Sequence, residues 1–536
     1  MFQKTNKSIT HKTATILLLL FMVVLFFLNS YNKTYKFRPI TIHQWRQTDC
    51  LSITKNYYEE GMHFFSPKIH SQGTTGGKAV SECPILNYTV AFLWKLFGEH
   101  EFIYRFLEYF IFIISMLMLF RTLVRFYGST LFSFFVTALF LTSPLLVYYS
   151  FNFIADVPAL SFCILTYCHF FNFYKTKKIS YFYLSLVLGT IATLLKVSAL
   201  LGLGTILFFS AAELLGMTKL LGTEKLFTKK LLPAISLVAS IILVWAWYKF
   251  AIVYNTSNNS VFLLTVLPIW EMKELALYST LRSLFNDLFP LFFNKPVFFI
   301  FSIAIFYVIG NFKKLEPFLK YTFIFSALFF VVYLLFFFQV FTVHDYYLSN
   351  LMIFPVVTFF CAASILSQTQ IIANNIKFLR ITVGVIIVFN AFFAAAVYRS
   401  RMIKADKLLF WYPFISNEEK KYSEWLLWNR EQTTAPLETI TPELRKLGIK
   451  RTDMFLSIPD ESFNISLYLM DQKGQTVSAF DYNDTLWMPA LMKKRKYDYL
   501  ILIDPNIKEQ KAFTSISNNF ESVLKKDHVE VFKIKN

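Results

Sequence analysis

The chain has 536 residues, of which 55% are hydrophobic and 16% charged, with 64 phenylalanines and a mean hydropathy of +0.47. Soluble domains carry about a quarter charged residues, so this composition excludes a wholly soluble chain and implies a polytopic membrane protein. The net charge of +19 gathers in loops and at the C-terminus. There it reads as a topology signal and as contact with anionic lipid, not as a nucleic-acid surface.

Lys4, Lys7, His11 and Lys12 precede an apolar run from Ala14 to Leu28. No small-residue cleavage site follows, so the run is expected to be an uncleaved signal anchor with a cytoplasmic N-terminus. Runs long enough to cross a bilayer are predicted at 14–30, 102–124, 129–149, 154–173, 179–196, 198–216, 232–254, 296–311, 321–342, 346–367 and 380–398. Between the first two lies a long loop, 31–101. Its segment Pro84–Gly98 is apolar but reaches only about 22 Å as a helix, short of the hydrocarbon core of about 30 Å. Taken as interfacial or re-entrant, it leaves Arg121, Arg125, Lys175, Lys177, Lys178, Lys219, Lys225, Lys229, Lys230, Lys313, Lys314, Lys320, Lys377 and Arg380 on the cytoplasmic side. The loop 31–101 and "HDYY" at 344–347 then face outward.

From Arg399 the apolar runs stop. "DMFLSIPD", "TVSAF", "YDYLILID" and "HVEVFKIK" read as strands. "TPELRKLGI", "SFNISLYLMDQKG" (with Ser462 as N-cap and Gly474 at its stop) and "LWMPALMKKRK" read as helices. The expected organisation is a membrane domain, 1–398, followed by an extracytoplasmic α/β domain, 399–536. "DYNDT", Asp481–Thr485, reads as a solvated turn in preference to a cation site. The cysteines Cys50, Cys83, Cys163, Cys168 and Cys361 show no CxxC pair and no zinc spacing. A Cys50–Cys83 disulfide is the less favoured reading of that pair.

Several ionisable residues fall at span edges that this topology places on one face: Asp49 and Glu82 in the loop, Asp156, Lys196, and His344 to Tyr347. Charge at membrane depth is expensive and defaults to function, although each residue alone can snorkel to the interface. A carboxylate there can take a proton from a hydroxyl, and lysine or arginine can stabilise a phosphate leaving group. These parts suit transfer from a lipid-linked phosphosugar to an acceptor outside the cytoplasm, where nucleotide sugars are absent.

The motifs "WRQTD", "SECPILNY", "FGEHEFIYRFLEYF", "FIADVPALSF", "LLKVSALLGL" and "HDYYLSNLMIFP" occur in an order that resembles the GT-C superfamily of glycosyltransferases. The pattern is most similar to the aminoarabinose lipid A transferases and the dolichyl-phosphate-mannose protein mannosyltransferases. The resemblance covers about residues 14–400. It implies a GT-C-like membrane domain of about 11–13 transmembrane helices that inverts a sugar carried by a polyprenyl-phosphate donor. The acceptor would be a lipid, glycan or protein at the outer face of the bacterial inner membrane. Asp49 and Glu82 take catalytic roles in this reading. Arg105, Lys196, Tyr346 and Tyr347 bind donor phosphate. Asp156, Arg46 and His344 support them, with Arg46 serving equally as partner of a loop carboxylate or as acceptor contact. Cys50 stands where many members carry a second carboxylate. Some members hold a divalent metal; the stretch 255–295 has no histidine, so Glu82 and His344 are the ligand candidates and a metal stays open. The alternatives are a polyprenyl-linked glycan polymerase or ligase, a lipid or glycan transporter, and a scaffold working through its tail. Inverted repeats, the mark of many transporters, are not evident.

Overall fold

The computed structural model describes residues 11–73, 75–222, 225–262, 266–369, 376–403, 409–478 and 486–535. The turn Asp481–Thr485 lies outside them.

Among the described residues, eight helices are long and apolar enough to cross a membrane: His11–Leu28, Phe102–Tyr127, Asp156–Thr176, Val197–Leu214, Leu231–Ser257, Pro317–Phe336, Asp345–Leu366 and Lys377–Met402. A ninth span arises if Glu274–Leu291 and Lys295–Gly310, bent by 97°, are taken together. The protein is a multi-pass helical membrane protein. Two of the runs expected to cross form shorter apolar helices. The run 129–149 is broken at Thr142–Ser143 into Thr130–Leu141 and Pro144–Tyr149. Pro144 cannot continue a helix but fits its first turn, and Ser143 caps that turn by accepting from the Leu146 amide. The run 179–196 forms a 17-residue helix, Ile179–Leu195, about 25 Å long and so slightly short of a full crossing.

The first helix shows how these segments pack. Ala14, Leu18, Met22 and Leu25 are buried along one stripe, while Leu20, Val23, Val24 and Phe27 on other faces are exposed. This is helical spacing with a protein-facing seam and an apolar exterior suited to lipid. All five cysteines are free and buried, so Cys50 and Cys83 form no disulfide.

The loop after this helix is built on Gln44–Glu60 and Ile85–Phe97. The second helix spans only about 20 Å. It buries Leu86, Val90, Ala91 and Trp94 and exposes Phe92, Leu96 and Phe97, an amphipathic pattern in keeping with an interfacial segment.

The C-terminal part holds a five-stranded sheet in the order β2-β1-β3-β5-β4. The strands are β1 Met454–Ile458, β2 Lys473–Thr476, β3 Tyr499–Leu502, β4 Phe520–Lys526 and β5 Val529–Ile534. β2, β1 and β3 run parallel, and β5 and β4 are added antiparallel. Two expectations are corrected. The strand expected at "TVSAF" starts earlier, at Lys473. Gly474 is therefore a strand residue and not a helix stop, because the helix ends at Leu469. Strand β4 and the helix Asn417–Gln432 were not anticipated from the sequence. β4, "FESVLKK", is a charged edge strand whose burial does not alternate, which hides it from pattern reading.

The sheet docks on the first loop. Gly474 N donates to His70 O, and Gln72 N donates to Gly474 O at 2.7 Å, so main chain from the loop extends the sheet beside β2. A Cβ on Gly474 would stand 2.1 Å from Phe455 O, so glycine is required for this close approach. Lys473 and Arg451 bond Asn56 and pair with Glu60, Arg451 also binds Asp471, and Arg38 joins Glu101 to the carbonyl of Leu469.

Candidate active site

The loop returns to the membrane through Ser81–Pro84, and Cys83 N donates to Leu194 O at 3.0 Å. This bond fastens the turn to the end of helix Ile179–Leu195. There the chain leaves the helix with Lys196 extended, at φ −157° and ψ 122°. Glu82 and Lys196 consequently face each other: Lys196 Nζ lies 3.0 Å from Glu82 Oε1. It also lies 3.2 Å from Oδ1 of Asp156, the first residue of helix Asp156–Thr176. Asn350 donates to the same Asp156 oxygen at 3.3 Å. On its other side Glu82 Oε2 accepts from Arg46 and from Ser81, and Arg46 also donates to Ser81 Oγ at 2.9 Å. Two cations and two carboxylates thus form one neutral chain, Arg46–Glu82–Lys196–Asp156. Neutrality matters because Asp156 is fully buried and Lys196 is 8% exposed, and an unpaired charge there would cost several kcal/mol. The cations on either side hold the Glu82 carboxyl well below the usual carboxylate range.

Tyr346 and Tyr347 cover this chain. Lys196 Nζ stands 5.5 Å and 4.8 Å from their ring centres, within cation–π range. An ammonium has three donors. Glu82 and Asp156 occupy two, which leaves one for a ligand.

Asp49 sits one helical turn after Arg46 on Gln44–Glu60. Its Oδ1 accepts from Asn464 Nδ2 at 2.8 Å, and among the described residues nothing donates to Oδ2. Asp49 is 2% exposed. Burial pushes its carboxyl up to about 7; Arg46 and Asn464 oppose that rise, while Glu82 and Asp460 add to it. A carboxyl poised there can accept a proton near neutral pH.

A second group adjoins the first through Tyr346. The His43 ring packs edge-on to Tyr346 at 4.8 Å and near His344 at 5.4 Å. His43 Nε2 lies 2.8 Å from Asp345 Oδ1, and Asp345 also meets Tyr149 and, at 3.5 Å, Arg401. Burial depresses His344 to about 4, so its ring is neutral at pH 7.

The structure therefore gathers Arg46, Glu82, Asp156, Lys196, Tyr346 and Tyr347, with Asp49 and His344 alongside. Among the described residues Arg105 bonds none of them. It is fully buried, donates to the carbonyls of Phe151 and Phe37 at 2.9 Å, and stacks 4.1 Å from the Phe153 ring centre. Sequence reading missed Ser81, Asn350, His43, Arg401 and Asn464 as site residues. His43 lay in view at the start of "HQWRQTD", but the asparagines carry no charge or periodic signal. The residues present do not suit a divalent metal at Glu82, because Arg46 and Lys196 already neutralise its carboxylate. Among the described residues no three of His, Cys, Asp and Glu gather at ligand distances.

Comparison with solved structures finds the same architecture elsewhere. ArnT from Cupriavidus metallidurans bound to undecaprenyl phosphate superposes with a TM-score of 0.57, at 10% identity, over 98% of each chain. The oligosaccharyltransferase of Archaeoglobus fulgidus, in complex with zinc and sulfate, gives 0.53 at 12% identity, over 92% of this chain and 68% of its own. The chain shares the GT-C fold of these proteins. Residues 81–216 match the family model described as dolichyl-phosphate-mannose-protein mannosyltransferase. That stretch includes Glu82, Asp156 and Lys196, and it ends well before Tyr346. Comparison with curated protein sequences returns no match.

Proposed function

We propose that the protein is an inverting glycosyltransferase that moves a sugar from a polyprenyl-phosphate donor to an acceptor hydroxyl of a lipid, glycan or protein. The observation that carries this reading is the neutral chain Arg46–Glu82–Lys196–Asp156 beneath Tyr346 and Tyr347, at the ends of membrane helices. One ammonium donor of Lys196 remains for a phosphate oxygen, and an apolar surround suits a lipid tail. The likeness to ArnT, solved with undecaprenyl phosphate, supports a donor of that class.

In this mechanism Asp49 Oδ2 takes the proton of the acceptor hydroxyl. The acceptor oxygen then attacks the anomeric carbon from the face opposite the phosphate, and configuration inverts. The bond from that carbon to the phosphate oxygen breaks, and its electron pair stays on the phosphate. Lys196 and the hydroxyls of Tyr346 and Tyr347 stabilise the charge that grows there. Glu82 and Asp156 aim Lys196; Arg46 holds Glu82 on the side facing Asp49. His344, neutral, packs the tyrosines in place. No step runs through a metal. The lysines and arginines expected on the opposite side support a reaction at the outer face of the bacterial inner membrane, with the C-terminal domain outside.

The test is reconstitution of the full chain in vesicles with a panel of polyprenyl-phosphate sugars, following release of polyprenyl phosphate. Turnover of one donor that stops in D49N supports the reading. A folded protein that turns over none of them, or a D49N variant with full turnover, overturns it.

A further inference from the structure

The C-terminal domain reaches into the candidate active site at one point. Asn464 lies 415 positions from Asp49 in the chain, yet its Nδ2 donates to Asp49 Oδ1 at 2.8 Å. Asn464 is fully buried. Its orientation is set by the loop: the Ser71 amide donates to Asn464 Oδ1 at 3.1 Å. A main-chain N–H can only donate, so the amide oxygen must face it and the NH2 must face Asp49.

The turn carrying Asn464 is itself built rigidly. Asp460 accepts from the amides of Ser462 and Ser466 at 2.8 Å and 2.9 Å and from both their hydroxyls at 2.6 Å. Ser462 Oγ in turn accepts from the amides of Asn464 and Ile465. Asp460 is thus occupied by four donors and does not compete for the Asn464 amide. Phe463, beside it, packs edge-on against Trp45 at 4.8 Å. The whole turn is seated on the helix that carries Asp49.

We propose that Asn464 is a positioning residue for the glycosyl transfer: the C-terminal domain supplies the hydrogen bond that aims the Asp49 carboxylate, so docking of that domain completes the active site. The proposal rests on the reading of Asp49 as general base. With Oδ1 held, Oδ2 is left for the acceptor hydroxyl. The bond also favours the ionised carboxylate. The other groups acting on Asp49 are Arg46 on its own helix, which favours ionisation, and Glu82 and Asp460, which oppose it. Arg46 is engaged by Glu82, so loss of the Asn464 donor has no ready substitute.

The experiment compares full-length wild type, N464A, N464D and R451Q, with D49N as reference, in nanodiscs. Two quantities are measured: the pH dependence of kcat/KM, and the titration of the protonated-carboxyl infrared band that D49N removes. In N464A, kcat at pH 7 is expected to fall about tenfold, with donor KM within about twofold, and the acid limb to move up by about one pH unit. N464D is nearly isosteric and places a second carboxyl against the first, so its limb moves further up. R451Q weakens docking at Glu60 and Asn56 without touching Asp49, and its limb stays at the wild-type position. An unmoved limb and band in N464A, or in N464D where N464A fails to fold, overturns the proposal. So does an equal shift in R451Q, which would assign the effect to docking at large. The infrared band separates this inference from the enzymatic reading. A protein without turnover whose Asp49 band still moves in N464A would sink the enzymatic reading while the Asn464–Asp49 coupling stands.

Discussion

Lys196 Nζ meets Glu82 Oε1 at 3.0 Å, joining a loop turn to the exit of a membrane helix 114 residues later. The pair is stable only because Arg46 and Asp156 extend it to a neutral chain of four. Altering one member should therefore be felt throughout. K196M leaves Asp156 buried with only Asn350 as donor, a cost of about 3–5 kcal/mol. A marked fall in Tm is expected, together with loss of donor binding. K196M/D156N removes both charges, so most of the Tm should return while turnover stays absent. Thermal unfolding of the wild type and the two variants in one detergent checks this. A double variant no more stable than K196M would contradict the neutral-chain account.

In the proposed reaction Asp49 is expected to set the pH dependence. Its carboxyl is raised to about 7 by burial, and the base form is the unprotonated one. kcat/KM should therefore be level above that pH and fall about tenfold for each unit below it. D49N should lower kcat by about 10²–10⁴ and leave donor affinity nearly unchanged. Initial rates of polyprenyl phosphate release across pH 5–9 measure both. A profile flat down to pH 5 would remove Asp49 from the base role.

Arg105 should behave as a structural residue. Its guanidinium ties the carbonyls of Phe37 and Phe151 together, a fork that lysine cannot reproduce. R105K is expected to cost about 2–4 kcal/mol of stability, with donor KM in the folded fraction unchanged. A selective rise in donor KM at unaltered Tm would return Arg105 to the phosphate site.

His70 gives the loop interface an acid sensitivity. It is fully buried, bonded through Nδ1 to Ser52 Oγ at 2.7 Å, with Arg451 3.4 Å and Asp471 3.6 Å from Nε2. Burial depresses it to about 3, against about 6.5 when unfolded. Above pH 6.5 both states are neutral and stability is full. Below it the unfolded chain binds a proton that the folded chain refuses, and about 1.4 kcal/mol is lost per pH unit until about pH 3. H70Q should flatten that slope in Tm measured from pH 7 to pH 4.5. An identical slope in both proteins would place the acid sensitivity elsewhere.

Much of this arrangement is legible from residue chemistry. Glu82, Asp156 and Lys196 stand out as charges in apolar sequence, and the structure brings them within bonding distance. The same signal picks out Arg105, although a charge that bonds carbonyls inside the fold looks identical, in sequence, to one that faces a ligand. Asn350 and Asn464 are invisible: a neutral amide gains its role only from a partner far along the chain. The break at Thr142–Ser143 is easily passed over inside an apolar run, although Pro144 and the capping Ser143 mark it in the sequence. In the C-terminal part, β1, β3 and β5 are apolar enough to recognise. β4 is not, because its charged residues suit a strand with one open side.

The pairing of Gly474 with His70 and Gln72 has a bearing on how the protein is made. Until the loop arrives, β2 is an unprotected border of the sheet, able to recruit any extended peptide, including another copy of itself. Synthesised as an isolated fragment, the C-terminal part would be expected to self-associate. In the whole chain the partner segment emerges first and is waiting at the membrane surface when β2 folds.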